Sequence, residues 1–110
     1  MGLYAVLKRK GKIRFHEVNA PFHKYLPIDA QIILSDWGFV GRDTDWQRGV
    51  KLYKSPSKGE FYLYEWTYHW ASDTGGTLRI ISREKAEEVA IEWLQHDPDA
   101  LEKILEEINS

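Results

Sequence analysis

Glu65, Thr67 and His69 alternate along the run EWTYH, and together they hold the ingredients of acid-base chemistry. Alternate residues of a strand share a face, so the three project the same way, joined by Lys51, Tyr53 and Arg79 from neighbouring runs. Proton transfer needs its two groups within hydrogen-bond reach. Glu65 and His69 lie four residues apart, roughly 13 Å at about 3.3 Å per residue, too far to share a proton. Lys51 reaches Glu65 diagonally across the strands, which makes an exposed ion pair the ordinary reading. Lys51, Glu65, His69 and Arg79 are therefore expected to form a polar sheet face without catalysis, and an enzyme is expected only if His69, Glu65 and Arg79 converge in a cleft.

A second group is cationic. Lys8, Arg9, Lys10, Lys12 and Arg14 put five positive charges into seven positions around Gly11. A β-ribbon so charged can lie against phosphates, with an exposed ring such as Trp70 stacking on a base. The competing explanation is that exposed hairpins carry Lys to prevent edge pairing. His16, Glu17 and His23 are close in sequence, but their spacing fits no helix-borne or knuckle arrangement, and no metal is expected. Asp43 and Asp45 form an isolated DTD. With no cysteine in the chain, thiolate zinc sites, disulfides and cysteine nucleophiles are excluded. Glycine-rich phosphate loops, G-x-S-x-G and H-E-x-x-H are absent from the sequence, and no cofactor is expected.

The elements that must carry these residues can be placed by pattern. LYAVLKRKGKIRFHEV reads as two strands, about 3 to 9 and 12 to 18, joined through Gly11 as an amino-terminal hairpin. Pro21 and Pro27 oppose a continuous element after that. Asp29 is placed to cap a short helix through AQIILSDW that stops at Gly38, with Ile28 and Ile33 as its hydrophobic staple. A short strand QIILS is the alternative. FVGRDTDWQRG reads as an exposed loop. GVKLYKSPSKGEFYLYEWTYHW is two strands around the turn residues SPSKG, and TLRIIS completes a three-stranded antiparallel meander. Ser82 caps a helix with Ala86, Val89, Ala90, Trp93 and Leu94 on one stripe. Asp97-Pro98 starts another, striped by Leu101, Ile104, Leu105 and Ile108.

FYLYEWTYHW concentrates six aromatic rings in ten positions. Alternation divides it into Tyr62, Tyr64, Trp66, Tyr68 and Trp70 on one face and Phe61, Leu63, Glu65, Thr67 and His69 on the other. Pairing Leu52 with Tyr62, Val50 with Tyr64, Tyr68 with Ile80 and Trp70 with Leu78 keeps the first face apolar. The terminal helices are expected to cover that aromatic face. Trp70 is the candidate for a ring left uncovered.

At 110 residues the chain is one domain's worth, 1-110, able to bury roughly two thirds of its unfolded surface. Its 43% hydrophobic and 29% charged residues exclude the disordered class. The amino terminus lacks the pattern of a signal peptide or a myristoylation site. No apolar run approaches the roughly 20 residues that span a bilayer, so a cytoplasmic location is expected. Two Asn, three Gln and one Met make a composition often seen in thermophiles. The net charge of −2 hides a polarity, because residues 1–58 carry eleven Lys or Arg against five Asp or Glu. Residues 59–110 carry four against twelve, which can steer a partner or a second copy. The alternative is that the terminal helices simply wear Glu on their solvated faces.

WQRGVKLYKSPSKGEFYLYEW followed by SREKAEEVAIEWLQ resembles a group of small uncharacterised bacterial and mobile-element proteins. The shared pattern falls on Trp46, Leu52, Tyr53, Ser55, Gly59, Phe61, Ser82, Ala90, Trp93 and Leu94. In this chain eight residues separate Ser82 from Ala90 where the pattern has about four, an extra helical turn that keeps the same face inward. The resemblance covers about half the chain and implies a fold and a mobile-element setting, with no activity.

The sequence as a whole predicts an α+β domain. An antiparallel sheet of about five strands, the amino-terminal hairpin plus the meander, carries two carboxy-terminal helices on one face. The expected function is non-catalytic binding of another protein, as an accessory or regulatory factor of bacterial, phage or plasmid origin. The alternatives are nucleic acid bound through Lys8, Arg9, Lys10, Lys12, Arg14 and Trp70, and a small enzyme on the polar face. Self-association is a further expectation, since acidic and basic ends can meet between copies.

Overall fold

Five antiparallel strands form one sheet in the order β1-β5-β4-β3-β2, in a computed structural model. It describes all residues except Met1, Arg42, Ser72 and Asp73, and for Asp43 and Thr44 the backbone alone. The strands are β1 Lys12–Phe15, β2 Gln31–Val40, β3 Asp43–Ser55, β4 Glu60–His69 and β5 Gly75–Ile81. Helix α1, Leu3–Lys10, precedes them, a short 3-10 helix spans Phe22–Tyr25, and α2, Arg83–Leu94, and α3, Pro98–Asn109, follow. The expected antiparallel sheet with two terminal helices on one face is present.

The amino-terminal hairpin is corrected: residues 3–10 are helical, and β1 pairs with β5 instead. Ala, Leu, Lys and Arg are strong helix formers, and Lys8, Arg9 and Lys10 lie in the last turn, where the helix dipole favours cations. Gly11 does take a positive φ, 74°, but as a helix stop, its N–H donating to the Leu7 carbonyl. Residues 31–40 are likewise a strand, of which the alternative QIILS marked the first half, and of the expected loop FVGRDTDWQRG residues 39–40 and 43–49 lie in β2 and β3, with Arg42 outside the described residues. Asp29 caps nothing. Its carboxylate accepts from the Ser55 hydroxyl at 2.7 Å and the Ser57 N–H at 2.9 Å, which fastens the approach to β2 onto the β3–β4 turn.

The observed register differs from the expected one. Leu52 faces Leu63, Tyr53 faces Tyr62 and Lys51 faces Tyr64, one residue away from the expected pairing. On the other flank Tyr62 faces Ile80 and Tyr64 faces Leu78. The covering layers are exchanged as a result. Tyr62, Tyr64, Tyr53 and Leu78 are covered by Leu7 of α1 with Phe22 and Leu26. The terminal helices instead bring Ala86, Val89, Ala90, Leu94 and Ile108 against Phe61, Leu63, Leu52, Val50 and Leu34 on the opposite face. β4 is apolar on both faces from Phe61 to Tyr64 and becomes one-sided only beyond Glu65, so each side of its first half demands a cover. Helix caps fall where expected, Ser82 accepting from the Lys85 N–H and Asp97 from the Ala100 N–H.

Candidate functional site

β2 lies at the edge of the sheet, paired on one side only, over ten residues. β-branched and aromatic residues make it a strand, and they leave Ile32, Trp37, Phe39 and Val40 exposed along it. Trp37 and Phe39 are 55% and 51% exposed and meet edge to face at 5.6 Å. Their register partners are Gly49 and Gln47, which in turn face Trp66 and Tyr68 of β4. At Gly49 the Trp66 indole occupies the space of a side chain, since an added Cβ would lie 2.1 Å from its Cε2. Trp37, Phe39, Trp66 and Tyr68 therefore share one face of the sheet's far end. Trp70, 71% exposed, stacks on His69 with centroids 5.9 Å apart, and His69 lies 4.6 Å from Trp46.

The expected polar face is divided by the register. Glu65 and Arg79 do meet, at 3.0 Å. Lys51 is corrected to the opposite face, where its ammonium lies over the Phe22 ring at 5.9 Å and cannot pair with Glu65 across the sheet. Tyr53 is on that face too, bonded to His23 at 2.9 Å. His69 sits at the far tip among Trp46 and Trp70, accepting at Nδ1 from the Ala71 N–H. Glu65, Arg79 and His69 thus do not share a cleft: the first two line a groove that His69 does not.

The five cations are also separated. Lys8 pairs with Glu60, which accepts from Tyr4 and Tyr62 as well. Burial pushes the Glu60 carboxyl up, but these three donors outweigh it and hold it below the ordinary carboxylate range. Burial raises the Tyr62 hydroxyl, with Tyr4 and Glu60 adding to the effect. Arg9 and Lys10 remain exposed at the end of α1. Lys12 and Arg14 point the other way, into a groove of about 690 Å³ that they line with Arg48, Arg79, Thr77 and Trp93. Arg48 donates to Glu92 at 2.8 Å while its guanidinium lies 4.5 Å from the Trp93 ring centroid.

Comparison with protein-family models, with curated proteins and with solved structures returned no match. Function must be argued from the surfaces themselves. Among the described residues no helix is long and apolar enough to cross a membrane. The sequence reading singled out Trp70 but missed Trp37, Phe39 and Arg48. For the first two the signal was available, because DWGFV alternates two rings with smaller residues as a strand does. Arg48 and Trp93 are brought together only by the packing of α2 on β3.

Proposed function

We propose that this protein is a non-catalytic interaction module that accepts an extended segment of a partner protein along β2. Strand addition needs a long, unobstructed sheet edge for main-chain hydrogen bonds and neighbouring side chains for specificity. β2 provides ten residues of edge. The observation that carries the reading is the placement of Ile32, Trp37, Phe39 and Val40, four exposed large apolar residues on that single strand. Edge strands are ordinarily blunted by Lys, Pro, bulges or shortness; residues 31–40 contain neither Lys nor Pro, and the register irregularities of β2 fall at Ile32/Leu34 and Phe39/Val40, leaving Leu34 to Phe39 in regular pairing. Exposed apolar surface of this kind marks interaction sites. The polarity of charge along the chain then serves to orient the incoming partner.

Hydrogen exchange on the complex tests the reading. A tagged copy is expected to retain one dominant protein from a lysate of its host, and binding should slow exchange along residues 31–40. Phe39→Lys, which puts a charge on the edge, should lose the partner while the fold survives, since Phe39 is already exposed. Light scattering of the free protein separates a foreign strand, which leaves the free chain monomeric, from the β2 of a second copy, which makes it a dimer. Protection appearing elsewhere with residues 31–40 unchanged would refute strand addition.

A further inference from the structure

We infer that the groove between β1 and α2 is a binding site for a phosphate group. It lies on the opposite face of the sheet from Trp37 and Phe39 and is independent of strand addition at β2.

The first observation is a cost. Lys12 on β1 stands directly opposite Arg79 on β5, and Arg14 stands opposite Thr77 two residues along. Directly opposed residues in an antiparallel pair share a face, and like charges so placed repel. Glu65 neutralises Arg79 at 3.0 Å, and Glu92 neutralises Arg48 at 2.8 Å. Lys12 and Arg14 have no ion-pair partner among the described residues. Four cations against two carboxylates leave the site a net charge of about +2, and a phosphate monoester carries about −1.5 to −2 near neutral pH.

The second observation is preorganisation. Arg48 lies between the Glu92 carboxylate and the Trp93 ring, two contacts that bias its guanidinium toward the wall of the groove before any ligand arrives. Arg side chains present planar forks that match phosphate oxygens. Thr67 and Thr77 add hydroxyls to the floor. Gly75 brings the floor close to β1, for a Cβ there would lie 2.4 Å from the Phe15 carbonyl oxygen. The volume of about 690 Å³ takes a phosphate together with the group that bears it.

Protection of the β1 edge is the competing explanation for Lys12 and Arg14. β1 is only four residues long and offers little edge to protect. Both side chains line the groove over the sheet face, not the outer rim alone.

Phosphate reaches such a site either on a small molecule or along a nucleic acid strand, and three probes distinguish these: inorganic phosphate, adenosine monophosphate and a single-stranded oligothymidylate. Calorimetric titration at about 50 mM and about 200 mM salt should show binding of at least one. Lys12→Ala and Arg14→Ala should each weaken it roughly tenfold, the loss of one charge-assisted contact. Glu65→Gln, which removes the competing carboxylate, should tighten it about threefold. Lys103→Ala on α3 makes the same charge change away from the groove and should leave binding unaltered. Arg14→Gln keeps the stem should the alanine variant lose its fold.

Binding of adenosine monophosphate or phosphate with little response to strand length identifies a small ligand. Binding of the oligonucleotide alone, with a salt slope that falls by about 0.7 for each cation removed, identifies a strand. The inference is overturned if no probe binds up to about 10 mM at the lower salt, or if Lys103→Ala weakens binding as much as Arg14→Ala.

Discussion

Tyr64 lies in the even-numbered row of β4 and Trp70 just past the end of the strand, and the two rings end in opposite environments: Tyr64 is 1% exposed and Trp70 is 71% exposed. Around Tyr64 the sheet is a middle layer. Phe22 stacks on its ring at 3.9 Å, its hydroxyl donates to the Val18 carbonyl at 2.8 Å, and the helices α2 and α3 close the other face. Toward Trp70 the strands run on past their covers, and the rings that remain pack on one another. Alternation assigns a residue to a side of the sheet, whereas coverage depends on how far the flanking helices reach.

Removing Tyr64 is expected to have the largest effect of any change in that row. Tyr64→Ala forfeits the Phe22 stack and the contacts of a fully enclosed ring, and stability should fall by about 3–5 kcal/mol. Urea unfolding at neutral pH measures it. A loss below about 1 kcal/mol would mean that the cover formed by Phe22 and Leu26 is not closed over the ring in solution.

A smaller effect distinguishes how the two ends are fastened. At the covered end the Asp29 carboxyl is pushed down to about 2, chiefly by the Ser55 hydroxyl and then by Ser57. Its ordinary value is near 3.9, so the folded state holds the charged form better than the unfolded chain does. The stabilisation is complete above about pH 4 and disappears as pH falls toward about 2. Glu60, held low by Lys8, Tyr4 and Tyr62 against its burial, adds in the same direction. Asp29→Asn should therefore be less stable than the parent at pH 7, with the gap closing by about pH 2 in urea midpoints measured across that range. A constant gap would show that the Ser55 and Ser57 contacts do not depend on the charge.

The same contrast explains what was legible in the sequence. Ser82, Asp97-Pro98, the Ala86 to Leu94 stripe and the SPSKG turn each encode local geometry, and each was readable. Gly11 was recognised as needing positive φ, yet a helix stop and a hairpin turn both ask for it, and the helix-forming residues before it decide the matter. The covering of β4 was not readable. Its odd-numbered face begins with Phe61 and Leu63 and ends with Thr67 and His69, so averaging along the strand conceals that the first half is buried on both sides. The groove was legible in part: Lys12 and Arg14 belong to the cationic run and Glu65 and Arg79 to the polar face, with nothing local to show that β1 pairs with β5 and unites them.

The smallest effect is the sharpest test of the uncovered end. Among the described residues Trp70 makes one ring contact, the stack on His69 at 5.9 Å, and leaves most of its surface to water. Trp70→Ala should change stability by no more than about 0.5 kcal/mol, as surface substitutions do, although the side chain lost is larger than that of Tyr64. Urea unfolding of the variant at two protein concentrations carries the comparison further, because a ring covered by a second copy gains stability as concentration rises. Equal, small changes at both concentrations fit a tip open to solvent and available to a partner. A cost above about 1.5 kcal/mol that grows with concentration would place the tip inside a homo-oligomer, and would remove the difference between the covered half of β4 and the tip beyond it.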